Sequence, residues 1–257
     1  MPLTFPAHQA VVLPIKLKWP SRTDATAMCI GAATPDLGYP IFGVDGHSLV
    51  GMLVFAIPFA YLMCRLMRWR VALALFANVP DAGPFRFHSY RVLVRRRPST
   101  AMTLVGVSIG VVSHVVLDAF THGSRWGARL LGMDQVLFTL PIRGDMTGAR
   151  VLQYFGHTVG SAIAVAMFLY IGRRRLLEQW YDDDQVREAR AFTMSTRARV
   201  VFWSVSVGIT VAVTSVVVAT GGTITFSILL GLALGVLVAG SVPITSGSPD
   251  ARLTAQS

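Results

Sequence analysis

The chain has 257 residues, of which 53% are hydrophobic and only 14% charged, where soluble domains carry about 25% charged residues. That balance, with a mean hydropathy of +0.56, leaves too few charges to coat a soluble domain of this size. The net charge of +10 does not mark a nucleic-acid binder. The arginines cluster in short stretches between apolar blocks, where the positive-inside rule puts them.

In chain order, the opening MPLTFPAHQAVVLPIKLKW lacks a basic leader and a small-residue cleavage site, so no cleavable signal peptide is expected. Thr4-Phe5-Pro6 reads as a helix start with proline in the first turn. Ala25 to Gly43 is apolar but holds Pro35, Asp36 and Pro40. Such a broken segment at membrane depth has to line protein or water. It reads as a short or re-entrant helix stopping at Thr34-Pro35. Five blocks are long enough to span a bilayer core. They run from about Ser48 to Met67, Ala101 to Phe120, Val151 to Ile171, Val200 to Thr220 and Thr223 to Val242. Gly231, Gly235 and Gly240 in the last block allow close helix approach. Cys29 and Cys64 lie in apolar stretches without CxxC or CxxH spacing, which supports neither a disulfide framework nor a thiolate zinc site and reads as buried small hydrophobes.

The expected fold is therefore an all-α, polytopic transmembrane bundle of about five full spans plus a broken N-terminal segment. Residues 1–243 form one membrane domain, and 244–257 a Ser/Thr/Gly/Pro-rich disordered tail. The arginine-rich links after the first span (Arg65 to Arg97) and after the third (Arg173 to Arg199) fall on one side, the cytoplasm of a bacterial plasma membrane, together with the C-terminus. The second link is expected to contain a short solvated helix. The loop from about His122 to Arg150 lies on the far side.

Ionisable groups inside spans are costly and mark functional sites by default. The second span ends SHVVLDAFTHG, placing His114, Asp118 and His122 at i, i+4 and i+8 on one stripe. Imidazole and carboxylate four residues apart can share a divalent ion. At a rise of about 1.5 Å per residue, however, His114 and His122 stand about 12 Å apart on a straight helix. Either His122 serves a second metal, or the helix ends near Gly123 and turns it back. His47 precedes the first span on the same side as His122, and Asp36 precedes His47. His157, early in the third span, reads as an outer hydrogen-bond partner, an interfacial residue or an extra ligand. His88 reads as solvated in the basic link. For His8, the following Lys16, Lys18 and Arg22 favour the cytoplasmic side, so it reaches the others only if its helix dips into the bundle.

The order His8, Pro35-Asp36, His47-Ser48, His114-x-x-x-Asp118-x-x-Thr121-His122 resembles the DUF4184 family of bacterial membrane proteins. The opening segment is similar too, with Gln9 where the family usually has proline, as is Leu152-Gln153-Tyr154. The resemblance covers about residues 1–171. It extends distantly to membrane-bound metal-dependent hydrolases of the YdjM/YbcI type, and through them to zinc-dependent phospholipase C. It implies that His8, Asp36, His47, His114, Asp118 and His122 form one metal site for one or two divalent ions, zinc foremost. It carries over no established activity.

Two functions compete. One is a metal-dependent hydrolase acting on a phosphoester or lipid-linked substrate at the membrane, with metal-activated water as nucleophile. The other is a non-enzymatic membrane protein with a structural metal or polar cluster. A transport path is poorly supported, because the cytoplasmic halves of the other spans show almost no polar groups. No Walker A motif, GxSxG elbow, dinucleotide loop or haem-attachment CxxCH is present.

Overall fold

The computed structural model describes residues 6–66, 68, 89–90, 92–95, 98–142, 144–191, 195–221 and 224–241. In chain order its helices and strands are α1 (Gln9–Lys18), α2 (Ala25–Gly31), α3 (Pro35–Phe42), α4 (Leu49–Leu66), α5 (Val92–Arg95), α6 (Thr100–Thr121), α7 (Trp126–Leu130), β1 (Val136–Leu140), β2 (Gly144–Thr147), α8 (Gly148–Arg173), α9 (Leu176–Trp180), α10 (Asp183–Ala191), α11 (Thr196–Ala219) and α12 (Ile224–Ser241). His88, the residues after 241 and much of the first basic link lie outside the described residues.

Four of these helices, α4, α6, α8 and α11, are long and apolar enough to cross a membrane. The 22 residues of α6 reach about 33 Å, enough for a hydrocarbon core of about 30 Å. The fifth expected span is α12, whose described apolar stretch, Leu230–Gly240, is shorter. The described residues thus give four full-length apolar helices and one shorter, against the five full spans expected. The class is all-α, as expected, and among the described residues there is one small two-stranded sheet, in the connection between α6 and α8.

The chain divides into two compact units. The first comprises Met1–Cys64 and Pro98–Ile171. Here α2 packs along α6, and the contact depends on glycine. A Cβ on Gly110 would lie 2.2 Å from the Met28 carbonyl oxygen, and one on Gly31 would lie 2.4 Å from that of Val107. Asp24 caps α2 by accepting from the Ala27 amide (3.2 Å) and also accepts from Thr103 Oγ1 on α6 (3.1 Å). Around this seam Ala27, Ala56, Ala60, Val107 and Val111 form a buried core. Helix α4 starts at the Ser48 cap, where Oγ accepts from the Gly51 amide. A π-helical turn over Met52–Ala56 follows. It lies just before Pro58, whose ring would clash with the carbonyl four residues back in a regular α-turn.

The broken segment differs from expectation in one respect. Its first helix ends at Gly31 rather than at Thr34-Pro35, and Pro35 opens a second helix, α3. Proline suits the first helical position, where its missing N–H is not needed. Lys16 is buried, and Nζ donates to the carbonyls of Pro20 and Thr23, so it closes the end of α1.

The second unit comprises Arg65–Arg97 and Gly172–Ser257. The long helices α11 and α12 pair through Phe202, Val236 and Ala239, and Gly231 and Gly235 sit against the backbone of Thr210 and Ser206. The expected solvated helix of the second basic link appears as two short ones, α9 and α10. Val186 of α10 packs on Val92 of α5.

Candidate metal centre

The first unit gathers polar side chains at one end of α6. His114 and Asp118 project from its last two turns and are buried, His114 completely. Facing them are Asp36 from the first turn of α3 and His47 from the loop before α4. Gly46 makes this meeting possible: a Cβ there would lie 2.5 Å from the Pro35 carbonyl oxygen. The two backbones touch, and Asp36 and His47 are brought side by side.

The four groups converge on one small volume. His47 Nε2 lies 3.1 Å from His114 Nε2, 3.0 Å from Asp118 Oδ2 and 3.5 Å from Asp36 Oδ1. His114 Nε2 lies 3.5 Å from Asp36 Oδ1 and 3.4 Å from Asp118 Oδ2. One ligand atom from each residue falls within 4.8 Å of all the others. Ligands about 2.05 Å from a tetrahedral ion stand about 3.3 Å apart. Five of the six ligand-to-ligand separations fall between 3.0 and 3.5 Å, so the donor set fits a tetrahedral divalent ion.

The outer contacts orient the imidazoles for that task. His114 Nδ1 lies 2.7 Å from the Ala32 carbonyl oxygen, which can only accept. Nδ1 therefore carries the proton, and a neutral ring presents the Nε2 lone pair to the cluster. His47 Nδ1 lies 3.5 Å from Asp45 Oδ1. Asp45 also accepts from the His47 amide (3.1 Å), which fixes the loop. A single proton on His47 Nε2 cannot serve both His114 and Asp118. Burial opposes charge on His47, but hydrogen bonds to the Asp118 and Asp36 carboxylates prevail and raise its pKa. The cluster attracts a positive charge, and a metal ion would supply it.

Two further histidines border Asp118. His8 Nε2 lies 3.6 Å from Oδ1, and the ring stacks on His114 with centroids 4.1 Å apart. Burial first, and then the neighbouring His114, lower the His8 pKa to about 4, which keeps it neutral at pH 7. Its helix does lie against α2 and α6, although the lysines after it suggested otherwise. His122 leaves the helix, which is one of the two alternatives its spacing left open. Helix α6 ends at Thr121, His122 is extended (φ −119°, ψ 116°), and Nδ1 comes within 3.6 Å of Asp118 Oδ2. The turn falls at His122 itself, one residue before Gly123. Gln153 Nε2 lies 3.0 Å from His122 Nε2. His157, one turn on along α8, is within electrostatic range of Asp36, Asp118 and His122. It stands outside the four-residue group.

The Ala32 carbonyl, Asp45 and Gln153 were not singled out as orienting groups. A backbone oxygen leaves no mark in a sequence. Asp45 was detectable as an aspartate two residues before a histidine, the spacing of an Asx turn.

The family described as Domain of unknown function (DUF4184) matches residues 1–242. The chain belongs to the DUF4184 family. The match runs through both C-terminal helices, well past the residue 171 limit expected from motifs. No curated protein and no solved structure matches this DUF4184 chain.

Proposed function

We propose that this DUF4184 protein holds a divalent ion, zinc foremost, between Asp36, His47, His114 and Asp118, and uses it to hydrolyse a phosphoester or similar ester of a lipid-linked substrate. The near-tetrahedral convergence of two imidazole nitrogens and two carboxylate oxygens carries the metal assignment. Two imidazoles and two carboxylates suit zinc. A divalent ion in such a site polarises a phosphoryl oxygen and lowers the pKa of bound water.

Support for chemistry comes from the surplus of donors. One structural ion needs four ligands, yet His8 and His122 also border Asp118 and His157 lies close by. Asp118 turns one oxygen to His8 and the other to the four-residue group. His8 is neutral at pH 7 and faces Asp118 through Nε2. Asp36, with its side chain 12% exposed, and His47 form the less buried side of the group. A lipid-linked substrate suits a site at the end of membrane helices.

A second reading is favoured by one observation. Four protein ligands around a buried point are the arrangement of closed, structural sites, and His114 is fully buried. Elemental analysis of wild type, His114→Ala and Asp118→Ala is the first test. Wild type is expected to carry the ion and both variants to lose it. Folded wild type that takes up no divalent ion when supplied would overturn both readings. Metal-loaded protein inactive on a panel of phosphoester lipids would leave the structural reading standing.

A further inference from the structure

The connection between α6 and α8 exposes apolar side chains where a water-facing loop would carry polar ones. All five residues of β1 are exposed, including Val136, Leu137, Phe138 and Leu140. Trp126 and Leu130 of α7 are 62% and 74% exposed, and Ile142 at the hairpin turn is 97% exposed. Among the described residues β1 pairs with β2 alone, antiparallel, through Phe138–Met146 and Leu140–Gly144. A lone two-stranded hairpin is marginal in water, and this one is apolar on both faces of its first strand.

Connectivity decides what covers it. Helix α7 begins five residues after the end of α6, and α8 begins at Gly148, directly after the last residue of β2. Both ends of the excursion are thus fixed to helices that cross the bilayer. The four residues of β2 reach about 13 Å, long enough to traverse a headgroup layer of roughly 5–8 Å on each side of the hydrocarbon core. Trp126 has the amphipathic ring enriched at that level. Arg125, Arg129 and Arg150 add positive charge suited to anionic headgroups. The base of the hairpin is held to the protein by the Ala149 amide donating to the Met133 carbonyl (2.8 Å), and Arg125 pairs with Asp45 (3.6 Å).

We propose that the α7–β1–β2 excursion is a membrane-surface anchor, with Leu137, Phe138 and Ile142 inserted at the boundary between lipid headgroups and acyl chains. The occupant of the apolar face is the lipid of the bilayer its own helices cross. The anchor holds the rim beside His47 and His122 at headgroup level. It stands independently of whether the metal centre is catalytic.

Full-length protein with Cys29→Ala and Cys64→Ala would carry a single new cysteine, Leu137→Cys or Ile142→Cys, labelled with a fluorophore. Each labelled protein, confirmed to elute as wild type, would be reconstituted in vesicles of equal parts phosphatidylcholine and phosphatidylglycerol. Both labels are expected to lose most of their emission to lipids bearing a nitroxide high on the acyl chain, and little to aqueous iodide. Quenching by iodide and not by nitroxide lipid would overturn the anchor. Shielding from both quenchers would overturn it as well. Shielding lost on dilution into excess lipid would assign the face to a second copy, and shielding that persists would assign it to the protein's own interior.

Discussion

Asp118 is the residue on which the centre turns. Its Oδ2 reaches His47, His114 and His122, and its Oδ1 reaches His8. Asp118→Asn keeps the size but removes the charge the imidazoles face, and is expected to abolish metal binding in a titration with a zinc-sensitive dye. Gln153 acts one step further out. If His122 ligates, Gln153→Leu frees its ring and should weaken binding about 10–100-fold while leaving the ion measurable by the same titration. Unchanged affinity would place His122 outside the coordination sphere. His114, Asp118 and His122 were legible in the sequence because ionisable groups in apolar spans are expensive to place, whereas His8 was carried by the family resemblance alone. Their orienting partners were not, since a carbonyl such as that of Ala32 has no side-chain signature.

Among the elements, the α2–α6 seam positions the site, because Ala32 follows α2 and its carbonyl holds His114. Gly110→Val forces the seam apart. It is expected to cost about 1–3 kcal/mol, as overpacking does, and to weaken metal binding along with thermal stability in detergent. Asp24→Ala should lower stability by about 1 kcal/mol through the lost cap, with a further loss from Thr103 left unpaired. Because Asp24 is remote from the ion, a thermal-shift assay should fall while metal content per folded molecule stays constant. The membrane helices were legible as apolar blocks near 20 residues long. The hairpin was not. Val136-Leu137-Phe138 has no polar-apolar alternation, and period-two alternation is the mark of a half-buried strand.

At the scale of the whole molecule, an ion that binds only the folded state stabilises it by mass action. Free zinc at about 100 times its Kd adds about 2.7 kcal/mol. Wild type is therefore expected to unfold at a higher temperature with zinc and at a lower one with a chelator. Asp118→Asn should show no difference between the two conditions. The family's extent was the part of the whole least visible in motifs. The two C-terminal helices are uniform apolar stretches, and such stretches carry little to tell one membrane family from another.

The centre draws on segments far apart in the chain, and this sets a timetable for biosynthesis. His8, Asp36 and His47 leave the ribosome early, but Asp118 follows His47 by 71 positions. At about 5–20 residues per second of synthesis, His47 waits roughly 4–14 s for Asp118, and His8 and Asp36 wait longer. During that interval α1–α3 have no α6 to pack against, and His8, Asp36 and His47 lack the His114 and Asp118 side chains that border them. The arrival of α6 is therefore the event that closes the centre.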